Sequence, residues 1–102
     1  MTTYVLYLGL NDKKTKQQKI DTIEAYKITQ NIILSYTGGA TIYNAKGIYT
    51  HKDGSVIIEN TLRIELAYTD IDTVKAIAID LKKAFNQESV LLDQIESNTT
   101  EI

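Results

Sequence analysis

Gln87, Glu88 and Ser89 place an amide, a carboxylate and a hydroxyl side by side. Such a set could hold a small polar ligand, or it could bond the free carbonyls at a helix end and start a strand. Glu59, Arg63 and Glu65 are separated by even numbers of residues, so on a strand they share one face. Tyr43 and Tyr49 also share a parity, and Tyr7 could reach the same sheet face. Tyrosine offers contact area and a hydroxyl together, so these residues fit a binding or dimer surface. The wet face of an antiparallel sheet, with charges paired across strands, accounts for them equally well. Lys13, Lys14, Lys16 and Lys19 crowd one stretch. They could meet a phosphate or a nucleotide, although lysine runs are commonly solvated loops.

No catalytic set emerges. His51 is the one histidine and stands beside Lys52-Asp53-Gly54. A catalytic histidine needs an orienting partner and a pocket, and a hairpin tip offers neither, so it reads as a solvated turn residue. The absence of cysteine removes disulfides, thiolate catalysis and thiolate-held zinc, and one histidine cannot make a histidine-rich metal site. Gly38-Gly39 follows a helical pattern instead of opening one, and no Gly-Lys-Ser/Thr follows, so it is not a phosphate loop. Gly47-Ile48-Tyr49 echoes three letters of a nuclease motif whose other half is missing. The candidate ligand-binding residues are therefore Tyr7, Tyr43, Tyr49, Glu59, Arg63, Gln87 and Glu88, with no catalytic residue, metal or cofactor expected.

The elements that must position them can be read from periodicity. Residues 4–10 form an almost unbroken apolar run of strand length, as expected for a central strand. Residues 11–19 are a polar loop, after which Asp21 and Glu24 resemble a capping box. Ala25, Ile28, Ile32 and Tyr36 then recur at helical spacing, and Gly38-Gly39 is expected to stop that helix in a left-handed conformation. From Ala40 to Tyr68 the period changes to two. Val56, Ile58, Leu62, Ile64 and Leu66 take one parity, with Glu59, Arg63 and Glu65 on the other. Asp53-Gly54 is a strong hairpin signal between the two runs. Thr69 or Asp70 caps a second helix with Val74, Ile77, Ala78, Leu81 and Phe85 on its apolar stripe, and a last strand runs from Ser89 to about Ile95.

The order is βαββαβ. It predicts an α+β, ferredoxin-like fold with an antiparallel sheet and both helices on one face. A single domain over 1–96 and a polar, fraying tail over 97–102 are expected of the 102 residues. Hydrophobic content of 43% with 24% charged residues supports a buried core. A net charge of −2 does not suit a general nucleic-acid binder, which needs a clustered positive surface. The opening residues have no basic leader, and their apolar run is far short of the roughly 20 residues of a membrane span. The expectation is a cytoplasmic protein, of a bacterium or of a cell infected by its phage, with no membrane partner.

Four stretches carry a resemblance over most of the chain, from about Tyr4 to Leu92. They are Leu6-Tyr7-Leu8-Gly9-Leu10, Gly39-Ala40-Thr41-Ile42 with Ala45-Lys46-Gly47-Ile48-Tyr49, Glu59-Asn60-Thr61 after Asp53-Gly54, and Phe85-Asn86-Gln87-Glu88-Ser89-Val90-Leu91. In these the chain resembles a bacterial family of unknown function with Leu-Tyr-Phe-Gly-Leu and Phe-Gly-Gln-Glu-Ser-Val-Leu motifs. Asn86 stands where the family pattern has glycine, a change that still permits a left-handed helix stop. The resemblance implies no activity.

Three classes of function stay open. The first is a non-enzymatic homo-oligomeric module that binds a small polar ligand, a nucleotide or a protein, suggested by the tyrosine-bearing face and by open sheet edges. The second is a small ferredoxin-like enzyme with a sheet-face pocket using Glu59, Arg63 or Glu88. The third is a phage-borne antagonist of host defence that sequesters a nucleotide signal through Arg63 and the lysine loop.

Overall fold

The N-terminal apolar run forms strand β1, Thr2–Gly9, followed by helix α1, Thr22–Leu34. Strands β2, Thr41–Thr50, and β3, Val56–Leu66, form the hairpin, followed by helix α2, Ile71–Ala84, and strand β4, Leu91–Glu96. The structure is a computed structural model that describes residues 1–50 and 52–102, so the reading of His51 as a solvated turn residue lies outside the described residues. The sheet order is β2-β3-β1-β4, antiparallel throughout, as in the expected ferredoxin-like α+β fold. β1 lies between β3 and β4, the central position its unbroken apolar run calls for.

One sheet face carries Leu6, Leu8, Leu62, Ile64 and Leu66, all fully buried with Ala25, Ile33, Val74, Ile77, Leu81 and Phe85 from the helical side. The opposite face carries Tyr7, Arg63 and Tyr43 in one cross-strand row, since Tyr7 pairs with Arg63 and Arg63 with Tyr43. Alternation along β3 therefore points its leucines under the helices and its charges outward.

Capping residues fix where the helices begin. Asp21 accepts the Glu24 amide at 2.9 Å, and Asp70 accepts the Thr73 amide at 2.8 Å, so Asp70 and not Thr69 caps α2. Asn86 takes the left-handed conformation at φ 48°, as a glycine substitute at a helix stop must.

Three expectations are corrected. α1 ends at Leu34 with Ser35 as its cap, and neither Gly38 nor Gly39 has positive φ, so the Gly-Gly pair does not stop the helix. Ser35 does so by turning its hydroxyl back onto the Ile32 carbonyl at 2.7 Å. The buried stripe of α1 is Ala25, Thr29 and Ile33, with Tyr36 exposed beyond the helix end. Val56 and Ile58 have the parity of the core residues, yet they are 62% and 63% exposed.

The cause of the last correction lies in strand length. β1 pairs with β3 only as far as Gly9 opposite Thr61. The Asn60 carbonyl still accepts the Leu10 amide at 2.9 Å. Beyond Asn60, β3 has β2 as its one strand neighbour among the described residues, and Gly47–Thr50 paired with Val56–Glu59 make a two-stranded arm. The molecule measures 46 × 25 × 24 Å. Gly54 turns the tip of the arm at φ 88°.

Candidate functional site

Where β1 ends and the arm continues, the outward face of the sheet has a re-entrant corner. A cleft of about 550 Å³ occupies it, walled by the arm, by the loop after β1 and by the turn between α2 and β4. Its floor depends on two missing side chains. A Cβ on Gly9 would run into the Glu59 carboxylate, and one on Gly47 would stand 3.0 Å from the Thr61 hydroxyl. With both positions bare, Glu59 leans across the sheet over Gly9, and its Oε2 accepts the Asn11 amide at 3.0 Å. This fixes a carboxylate at the base of the corner.

Tyr49 stands in the wall beside it. Partial burial, together with the charges of Glu59 and Glu88, raises the phenol above its usual pKa, so the hydroxyl stays protonated. Tyr7 closes the inner end, and Glu88, Ser89 and Leu91 come from the α2–β4 side. The corner thus presents two aromatic rings, two carboxylates and the Thr61 and Ser89 hydroxyls.

The loop after β1 is built around Asp12, a buried carboxylate. Its Oδ1 accepts the Lys14 and Thr15 amides at 2.8 and 3.1 Å, and its Oδ2 accepts the Asn86 side-chain amide at 3.0 Å. Lys19 lies 3.8 Å from Oδ2. The Asn86 bond, then the backbone amides of Thr15 and Lys14, then the Lys19 charge lower the Asp12 pKa to about 2, against a smaller opposing effect of burial. The same loop holds Lys16 at φ 60°, with its amide bonded to the Asp12 carbonyl at 2.8 Å. Lys13 and Lys16 line the cleft from this side.

Of the residues expected to bind a ligand, Tyr7, Tyr49, Glu59, Gln87 and Glu88 line the cleft. Gln87 is buried, and its amide donates to the Asn11 carbonyl at 2.6 Å and to Phe85 at 3.3 Å. It ties the β1 loop to the end of α2, which is the helix-end role that its position allowed. Tyr43 and Arg63 share the face but not the cleft. Arg63 donates from Nε to the Tyr7 hydroxyl at 3.3 Å, bonds the Glu65 carboxylate, and lies 5.9 and 5.4 Å from the Tyr7 and Tyr43 ring centres. Hydrogen bonds to Tyr7 and Glu65 raise its pKa further above the guanidinium range. It holds the ring and hydroxyl of Tyr7, which lines the cleft.

Sequence reasoning missed Gly9, Gly47 and Thr61, which have no reactive group or only a common hydroxyl. One signal was present: Gly9 follows Tyr7, and Gly47 precedes Tyr49, at the same strand parity, so bare positions alternate with rings on one face. Among the described residues no group of three or more potential metal ligands comes together. No helix among the described residues is long and apolar enough to cross a membrane.

The chain belongs to a family described as protein of unknown function, DUF3574, which matches residues 2–100. No curated protein matches it. Among solved structures it is similar to a phage SAM lyase in complex with S-methyl-5′-thioadenosine, with a TM-score of 0.67 and 23% identity over 93% of this chain and 80% of that one. The same kind of protein, a phage SAM lyase in the apo state, gives a TM-score of 0.68 and 22% identity over 98% of this chain and 92% of the other. At these identities the likeness establishes a shared fold.

Proposed function

We propose that this DUF3574 protein binds an adenosine-type ligand carrying sulfur at its 5′ position, in the cleft between the arm and the β1 loop. The observation that carries the reading is the meeting of Tyr7 and Tyr49 with Glu59 and Glu88 in one corner. Aromatic faces suit a purine ring and a sulfonium cation alike. Carboxylates suit ribose hydroxyls, as acceptors, and a positive sulfur, as counter-charges. Support comes from the bound S-methyl-5′-thioadenosine in a protein of the same fold.

Titration calorimetry with S-methyl-5′-thioadenosine tests it. Binding is expected, with Glu59→Gln weakening it about tenfold, or ~1.4 kcal/mol. No heat at millimolar ligand, for a protein that unfolds cooperatively, would overturn the reading.

Cleavage of a sulfonium nucleoside is a second reading, favoured by the fixed carboxylate of Glu59. A sulfonium leaves as a neutral thioether when its C–S bond breaks, taking the bonding pair with it. The neighbouring carbon gives up a proton to a base, and its C–H pair forms a C=C bond to the vacated carbon. The protein's task is then to place negative charge and a proton acceptor against the reacting carbons. Chromatographic detection of S-methyl-5′-thioadenosine released from S-adenosylmethionine, absent with Glu59→Gln, is the expected result. Removing such a compound by binding or cleaving it would also serve a phage-borne antagonist of host defence.

A homo-oligomer belongs to the same proposal. Ile48, Val56 and Ile58 leave one face of the arm apolar and exposed beside the cleft, and β2 and β4 are open sheet edges. A second copy covering the arm is expected, and light scattering that finds a monomer at all concentrations would remove this part.

A further inference from the structure

Gln87 is the buried member of the amide, carboxylate and hydroxyl set that follows α2. Both hydrogens of its amide are committed, one to the Asn11 carbonyl at 2.6 Å and one to the Phe85 carbonyl at 3.3 Å, so no N–H is left for a ligand. Asn11 is bonded at its amide as well, which donates to Glu59 Oε2 at 3.0 Å. A continuous chain thus runs from the buried amide of Gln87, through the backbone of one residue, to the Glu59 carboxylate. Glu88 directly follows Gln87, so the anchor that fixes Asn11 also fixes the backbone from which Glu88 enters the cleft. The two carboxylates come from the arm and the α2–β4 turn, elements joined by no strand pairing among the described residues. Asn86 fastens the same loop by a separate route, from its side chain to Asp12 Oδ2 at 3.0 Å.

We infer that Gln87 is a positioning residue: through Asn11 it sets where the Glu59 carboxylate stands relative to Glu88, and so how well the cleft holds a ligand. This rests on the reading of the cleft as the ligand site, and adds the device that keeps its two carboxylates at one spacing. A group in a site acts well only when its neighbours hold it to within about 0.5 Å. With Gly9 bare beneath it, the Glu59 side chain has room to swing, and the Asn11 amide holds it over the corner. Without the Gln87 donor, the Asn11 carbonyl loses a partner, and the loop shifts to find another. The Asn11 amide moves with it, and the carboxylate loses its bearing.

The first measurement needs no ligand, because the Asn11 amide exchanges its hydrogen only when its bond to Glu59 opens. Exchange there is expected to quicken about tenfold or more in Gln87→Met, which keeps the length of the side chain and removes its donor. In Asn86→Gly, which cuts the Asp12 bond and keeps the left-handed helix stop, the Asn11 rate stays within about twofold. An unchanged rate in Gln87→Met would overturn the inference. So would equal acceleration in the two variants, which would make Gln87 one fastener of the loop among others. Should Gln87→Met not fold, Gln87→Asn keeps a buried amide, falls one methylene short of Asn11 and is read in the same way.

The second measurement is calorimetry with S-methyl-5′-thioadenosine on the wild type, Gln87→Met, Glu59→Ala and the double variant. Losing the Gln87 amide is expected to weaken binding about fivefold where Glu59 is present and less than about twofold where it is absent. The same loss in both backgrounds would mean a structural role alone and overturn the positioning role. No binding by the wild type would remove the adenosine reading, and the exchange rates would still decide whether Gln87 sets the Glu59 anchor.

Discussion

Leu62 and Ile58 lie four residues apart on β3 and point toward the same face, yet Leu62 is 0% exposed and Ile58 63%. The covered half of the β2–β3 hairpin has β1 beside β3 and the helices beneath, while the arm has only its own two strands. Parity decides which way a side chain points, and the presence of a neighbour decides whether it is buried. The same contrast creates the cleft, because the corner exists only where β1 stops and β3 does not.

The comparison can be broken most directly from the covered half. Leu62→Ala is expected to cost about 2–5 kcal/mol in urea unfolding, the range for a fully buried leucine. A loss under about 1 kcal/mol would mean that the core relaxes freely there and that the two halves differ less than their exposure suggests.

At the boundary, Gly9→Ala sharpens the distinction between folding and binding. The atoms nearest the new methyl are the movable carboxylate end of Glu59, so stability should change by less than about 1 kcal/mol. Ligand affinity in the proposed site should fall about tenfold, because the carboxylate must swing away from the corner. A variant that binds S-methyl-5′-thioadenosine as the wild type does would detach Glu59 from the site.

The β1 loop belongs with the covered half, since Asn86 and Gln87 hold it to the end of α2. Its sensitivity is to acid. Asp12 has a folded pKa of about 2, below the ordinary aspartate value of roughly 3.9. The unfolded chain therefore binds a proton first, and the stabilisation present above roughly pH 4 is lost as pH falls toward the folded value. The unfolding midpoint should drop between roughly pH 4 and 2, and in Asp12→Asn that part of the drop should be missing. A wild-type acid profile equal to that of Asp12→Asn would separate the loop from the covered half.

The smallest effect is expected in the arm. Ile58→Ser should alter the stability of a dilute monomer by no more than about 0.5 kcal/mol, as for an exposed site. It should weaken self-association in light scattering if a second copy covers the arm. A multi-kilocalorie loss in the monomer would show the arm to be packed and would erase the contrast.

The sequence by itself determined the order of elements and the direction of most side chains. Period two over 55–66, helical spacing over 74–81, and the caps Asp21 and Asp70 are local properties, set by backbone geometry and by the need to satisfy free amides. They sufficed for the ferredoxin-like arrangement and for Tyr7, Tyr43, Glu59 and Arg63 on one face. The Gly38-Gly39 stop failed because Ser35 could satisfy the helix end earlier. Which strand outruns which was decided by tertiary structure alone, because β3 continues past Thr61 while β1 turns away at Asn11 to pack its loop against α2. That mismatch in length buries Leu62, strands Ile58 and opens the corner beside Glu59. It also separates Arg63, which braces Tyr7, from the cleft that its spacing seemed to promise. Alternation is a property of one strand, whereas burial and a cleft are properties of what lies next to it.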